Sequence, residues 1–113
     1  MKKVTLRRTK MPVNYLDKSN SDTVDYVWID EVRRILLTPK NPQAGTNMEE
    51  MLEVMPILAK LKAVKMPEIG DTTIDLENAE HKLIVERLKG AQYTVNAPEI
   101  FDMIQTISEA ENA

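Results

Sequence analysis

The 113-residue sequence contains no cysteine. Disulfide bonds and thiolate metal sites are therefore excluded, which suits a reducing compartment such as the cytoplasm. The apolar runs at 35–37 and 83–85 are far shorter than the roughly 20 residues of a membrane-spanning helix. Because no apolar stretch follows the basic start, we also expect no secretory signal. These absences predict a cytoplasmic protein without membrane contact.

Residue types that carry out catalysis are scarce. His81 is the only histidine, and it lies off the predicted apolar side of its helix, which favours a solvated position. Glu77 and His81 have the spacing of a weak helical metal pair, but no second histidine or cysteine completes it. The three glycines form no phosphate-binding loop, and no nucleophile motif is found. We expect no enzyme activity, no cofactor and no metal.

Charge is distributed unevenly along the chain. Residues 1–10 contain five cations and no acid, whereas all eighteen acidic residues lie in the remainder. Lys3, Arg7 and Arg8 in this basic segment have three possible roles, which the sequence leaves open: they keep a strand edge soluble, contact an acidic protein, or bind nucleic-acid phosphates. No aromatic residues interleave with the cations, which weighs against nucleic-acid binding.

The first part of the chain favours extended structure. Val4–Leu6 alternates apolar and polar residues, and residues 23–28 are β-branched and aromatic, so a β-hairpin is predicted across residues 3 to 28. Pro12 would lie at an edge or a bend. The polar cluster at 17–22 forms either the turn or a long loop. Trp28, at the strand-to-helix junction, is a core anchor or an interface residue.

Helical periodicity begins near Asp30, which we predict to be an N-cap, and ends at Thr38-Pro39. Thr46 and Glu49 fit a capping box for a second helix, with Pro56 producing a kink or a break into two pieces. Residues 72–76 form a short strand or lead directly into the third helix.

The third helix would end with Gly90 at its C′ position. Asn96 would cap a fourth helix that contains Pro98 in its first turn and frays after Glu109. The helices would supply most of the core through Ile35, Leu36, Leu52, Leu58, Leu83, Leu88, Phe101 and Ile104. The predicted fold is α+β: one domain, 1–113, with an N-terminal β-hairpin region (1–28) packed on three or four short amphipathic helices (29–111).

Methionines line one side of the second predicted helix. Met48, Met51 and Met55 lie on a single helical face. Core filling is the default interpretation, because methionine adapts to irregular gaps. The alternative is a helix face that docks with a partner.

The order of these features resembles small tailed-bacteriophage proteins, encoded among genes for virion assembly or host takeover. The resemblance covers residues 29–88 loosely. Its elements are Ile29-Asp30-Glu31-Val32, the loop from Leu36-Leu37-Thr38-Pro39 to Gly45-Thr46, Glu49-Glu50-Met51 and Asp75-Leu76-Glu77-Asn78-Ala79-Glu80. It implies a biological setting, the host cytoplasm, rather than a mechanism.

We therefore predict a non-enzymatic module that binds another protein or a second copy of itself, as a phage-type accessory or assembly factor. The contacts would come from an exposed strand edge or from the methionine face. The alternative is a small regulator that contacts nucleic acid through the basic N-terminal arm. The candidate binding residues are Met48, Met51, Met55, Trp28, Lys3, Arg7 and Arg8.

Overall fold

The computed structural model describes residues 1–13, 22–39, 41, 43–66, 70–93 and 97–112. The strands in this part of the chain are β1 (Lys2–Leu6), β2 (Arg8–Pro12), β3 (Thr23–Val27), β4 (Thr72–Leu76) and β5 (Glu111–Asn112). The helices are α1 (Trp28–Leu37), α2 (Met48–Ala63), α3 (Asn78–Gly90) and α4 (Pro98–Ser108). The predicted α+β class, with an N-terminal hairpin and four helices, is confirmed.

Two small antiparallel sheets organise the strands. The hairpin pairs β2 with β3, so that Pro12 lies opposite Thr23 at the end of the ladder, as its missing N–H favours. The predicted strand at Val4–Leu6 exists, but it belongs to a second sheet of order β4-β1-β5. The prediction that it forms the first strand of the hairpin was therefore wrong. Of the predicted turn cluster, 17–21 lie outside the described residues.

One hydrophobic cluster connects both sheets to all four helices. Trp28, Leu76 and Leu88 are fully buried in it, and so are Met103 and Ile107. Its remaining buried members are Val4, Leu6, Tyr26, Ile29, Val32, Ile35, Leu36, Val54, Ile57, Leu61 and Ile84. The core therefore draws on nearly every element.

The predicted core is only partly correct. Ile35, Leu36 and Leu88 are buried, and Leu58, Leu83 and Ile104 are partly buried against the cluster. Leu52 and Phe101 were wrongly predicted, since each side chain is 67% exposed. Instead, α2 buries Val54, Ile57 and Leu61, while α4 buries Met103 and Ile107.

Two N-terminal helix boundaries differ from the predictions. Because α1 begins at Trp28, Asp30 lies in its first turn and is not the N-cap. The cap of α2 is one residue later than predicted: the Asn47 side chain accepts a hydrogen bond from the Glu50 N–H at 2.9 Å. Thr46 does not cap the helix backbone but donates its hydroxyl to the Glu50 carboxylate.

The later helix ends also needed correction. Gly90 is the last residue of α3 and not a C′ glycine. The N-cap position of α4 is Ala97, whereas Asn96 lies outside the described residues. Pro98 occupies the first turn, as predicted. The chain does not simply fray after Glu109, because β5 follows and pairs with β1.

The α2 helix continues through Pro56, so the prediction of two helical pieces was wrong. Proline at this position cannot donate to the carbonyl of Leu52. Both residues are exposed, so water can hydrate that carbonyl. The result is one continuous helix of roughly 24 Å, from the usual rise of about 1.5 Å per residue.

Within the described ranges, none of the four helices is long and apolar enough to cross a membrane.

Candidate functional site

Arg7 is held by two contacts within its own chain. Its Nε donates to the Asp71 carboxylate at 3.1 Å, and its guanidinium lies 5.5 Å from the centre of the Trp28 ring. Such stacking adds a modest electrostatic attraction. Trp28 itself is fully buried, so the core-anchor interpretation is correct and its inclusion among the partner-binding candidates was wrong.

The other basic candidates also lie beside acidic residues. Arg8 Nη1 lies 3.2 Å from the Asp25 carboxylate, and Lys10 contacts the same side chain. Hydrogen bonds from Lys10 and then Arg8 lower the pKa of the Asp25 carboxyl below its ordinary value. Arg8 and Lys10 are therefore partly neutralised by the chain's own acid.

Lys3 has strand neighbours on both sides. In the register of the three-stranded sheet it lies opposite Asp75 of β4 and Glu111 of β5. Its role as protection of a strand edge was therefore wrongly predicted, because β1 is the central strand. Lys3 remains exposed, but two carboxylate-bearing positions flank it.

His81 is not the solvated surface residue that the sequence predicted. It is only 9% exposed, and its Nε2 lies 2.8 Å from the carbonyl oxygen of Ile107. The imidazole is thus a packed connection between α3 and α4. Its burial was missed because its neighbours in sequence, Glu80 and Lys82, suggested a polar helical face.

The carboxylates near His81 serve the start of α3. The Glu80 side chain accepts a hydrogen bond from the Glu77 N–H at 2.9 Å, and the Glu77 side chain caps the helix in return. Glu80 also contacts Lys60 of α2 at 2.5 Å. No group of three or more His, Cys, Asp or Glu side chains suited to a metal occurs among the residues that can be described.

A cleft of about 540 Å³ lies between the ends of α1 and α3. Arg87 forms part of the wall of this cleft and is only 9% exposed. Its Nη1 donates a hydrogen bond to the carbonyl of Thr38 at 2.8 Å. Its Nη2 lies 3.9 Å from the Glu50 carboxylate. The lining residues are Arg34, Ile35, Thr38, Pro39, Glu86, Arg87, Gly90, Ala91 and Gln92. Arg87 is therefore engaged in holding α1, α2 and α3 together.

The surroundings of two tyrosines raise the pKa of the phenol. Burial raises the pKa of the Tyr93 phenol to about 12, and the nearby Glu31 carboxylate adds to the shift. The pKa of Tyr26 is raised for the same reasons. Tyr93 donates to the Leu88 carbonyl at 2.9 Å, at the end of α3. The phenol of Tyr93 therefore serves as a structural donor.

The exposed side of α2 carries large apolar side chains. Met48 and Leu52 are each 67% exposed, Met55 is 58% exposed and Met51 is 41% exposed. These four residues, called the Met face below, recur at helical spacings of three and four. The core-filling interpretation of the three methionines was therefore wrong, because the structure places them in solvent.

The Met face lies opposite the core-facing side of the same helix. Val54, Ile57 and Leu61 point into the hydrophobic cluster, and α2 contacts α1 on this side. At 100° per residue, Ile57 is 180° around the helix from Met48. The helix is thus apolar on two opposite sides, and the fold uses only one of them.

Comparison of the chain with protein-family models, curated proteins and solved structures found no match to any of the three.

Proposed function

We propose that this protein binds another protein through the Met face of α2. The observation that supports this most strongly is the concentration of four exposed apolar side chains on one helical face, Met48, Met51, Leu52 and Met55. Single exposed apolar residues are common on proteins, whereas a continuous group marks an interaction surface.

The chemistry of the Met face suits a helix-in-groove or helix-on-helix contact. Methionine is flexible and polarisable, so it fits partner surfaces of different shape. The face extends from Met48 to Met55 and is therefore roughly 10 Å long, or two helical turns. Because Val54, Ile57 and Leu61 already anchor the opposite side, a partner can cover the face without displacing the core.

A strand edge is a second surface for the same activity. In the described part of the chain, β2 and β3 pair only with each other, and Val24 of β3 is 48% exposed. An added strand would find backbone donors and acceptors there. The Met face receives more support, because it presents four exposed apolar side chains instead of one.

The biological setting that we propose is a phage-type accessory or assembly factor acting in the host cytoplasm. It rests on the order of features across residues 29–88 and adds no residue to the binding surface. The Met face is built of apolar side chains, so we propose binding alone.

The alternative, a regulator that contacts nucleic acid through Lys3, Arg7 and Arg8, receives less support. Arg7 and Arg8 already contact Asp71 and Asp25. A phosphate contact by either arginine would have to replace a contact that exists within the chain. A gel-shift titration across salt tests this alternative, because binding to phosphates weakens steeply as salt rises.

The protein-binding proposal is tested by replacing Leu52 with the photo-crosslinking residue p-benzoylphenylalanine in the full chain. The matched control carries the same residue at Lys82, an exposed position of α3. We expect irradiation in native extract to give protein adducts from position 52 only. The same adducts should vanish when Met48→Glu and Met55→Glu are added. Equal labelling from both positions, or adducts that survive the added charges, would contradict the proposal.

A further inference from the structure

We infer that the occupant of the Met face is a second copy of this chain, with the two α2 helices packed antiparallel across a twofold axis. This inference rests on the proposed function, because it identifies the protein that the face binds. Twofold symmetry is the commonest arrangement of identical chains, and it requires a surface that is complementary to itself. The exposed side of α2 has that property in both shape and charge.

The spacing of the exposed residues continues beyond the Met face. Met48, Leu52, Met55, Ala59 and Lys62 are separated by steps of four, three, four and three, and all five are exposed. Alternating steps of four and three define the seam of a paired helix. The buried residues of α2 lie on the opposite side of the helix from this repeat. One helix can therefore pack against its own core on one side and against a partner helix on the other.

An antiparallel pairing fills this seam without gaps. With the twofold axis between Glu53 and Val54, Leu52 packs against the partner's Met55, and Met55 packs against the partner's Leu52. At each end Met48 meets the partner's Ala59, where the small side chain leaves room for the long one. Four apolar layers result, which is a short interface that predicts association in the micromolar range.

The charges at the ends of α2 favour the same orientation. Glu49 and Glu53 are exposed near its beginning, and Lys62 is exposed in its last turn. No ion pair involves any of these three within the residues that the structure describes. An antiparallel partner brings Lys62 towards the partner's Glu49, and it also opposes the two helix dipoles.

Two other charged residues of α2 already have partners within the chain. Glu50 contacts Thr46 and Arg87, and Lys60 contacts Glu80. Glu49 and Lys62 have no such ion pair within the described residues, so both are available to a partner helix. A parallel partner would place Lys62 against the partner's Lys62, so the parallel orientation is disfavoured.

Sedimentation of the purified full chain tests the inference. We expect the mean mass to rise from the 12.9 kDa monomer towards twice that value between about 1 µM and about 1 mM. Leu52→Glu should weaken the dimer at least about tenfold, while Lys82→Glu on α3 should leave it unchanged. Because both positions are exposed, circular dichroism should show both variants folded.

Charge exchange tests the orientation. Lys62→Glu and Glu49→Lys should each weaken the dimer about threefold to tenfold, because each change is repeated by symmetry. The two changes together should restore it. If Leu52→Glu weakens the dimer but these charge variants leave its affinity unchanged, the antiparallel arrangement is overturned.

The two proposals fail differently. A chain that stays monomeric up to about 1 mM overturns the second-copy inference. If position 52 still crosslinks to a different protein in extract, and the Met48→Glu/Met55→Glu changes abolish that adduct, the protein-binding proposal stands. A monomer that also gives no specific adduct overturns both.

Discussion

The imidazole Nε2 of His81 lies 2.8 Å from the main-chain carbonyl oxygen of Ile107. The contact joins the first turns of α3 to the last turn of α4, and both residues are buried. It also fixes the point where the chain leaves α4 to form β5 and pair with β1. His81 therefore supports the fold and has no place in the Met face.

His81→Ala should lower the free energy of unfolding by about 1–3 kcal/mol, because the Ile107 carbonyl loses its side-chain hydrogen bond and a buried side chain is removed. Urea denaturation measures the change. Lys82→Ala, on the next residue but exposed, is the control and should stay within about 0.5 kcal/mol of the parent. Equal effects of the two substitutions would contradict the buried position of His81.

Arg87→Ala should lower the free energy of unfolding by about 1.5–3 kcal/mol, because it removes a charged hydrogen bond to the Thr38 carbonyl. Arg87→Lys should retain part of the stability, since it keeps the charge and loses the planar guanidinium. The exposed Lys89→Ala is the matched control, and thermal or urea unfolding is the measurement. If Arg87→Ala leaves the free energy of unfolding unchanged, the role of Arg87 in joining α1 to α3 is refuted.

The raised pKa of Tyr93 predicts a loss of stability in alkali. The phenol holds its proton to about pH 12 in the folded chain, against an ordinary value of 10.0. Between these values the folded state binds more protons, so the free energy of unfolding falls as pH rises from 10 to 12. Tyr93→Phe should show a shallower fall over this window in denaturant titrations at fixed pH. If Tyr93→Phe leaves the pH dependence of the free energy of unfolding unchanged, the raised pKa of Tyr93 is contradicted.

The two apolar sides of α2 should respond differently to alanine. Leu61→Ala should lower the free energy of unfolding by about 2–5 kcal/mol, because Leu61 is 2% exposed in the core. Leu52→Ala removes the same atoms from an exposed position and should change it by less than about 0.5 kcal/mol. The comparison is made near 1 µM, below the association that we infer. A reversed order would show that the buried side of α2 was wrongly assigned.

The sequence predicted the elements better than it predicted which faces are buried. The strand at 23–27, the end of α1 at Thr38 and the helical pattern of α2 were recognisable because local periodicity and proline specify them. The side of α2 that enters the core was not recognisable. Both sides are apolar, and the stripe from Met48 to Met55 is the one that the fold leaves exposed.

Local sequence patterns also could not predict which strands pair with each other. Val4–Leu6 reads as a strand, but nothing near it indicates that its partner is β4, some seventy residues later in the chain. The carboxylates that neutralise Arg7 and Arg8, Asp71 and Asp25, are likewise brought close only by the fold. A cluster of cations in sequence therefore overstated the free positive charge of the N-terminal arm.

Methyl NMR of the methionines over a dilution series observes the proposed interface directly. We predict that the methyl signals of Met48, Met51 and Met55 shift together as concentration rises, while that of Met103, fully buried in the core, stays fixed. Leu52→Glu should abolish the shifts. Constant signals of the Met face at all concentrations, or shifts of Met103 as large as those of Met55, would contradict an interface built on this side of α2.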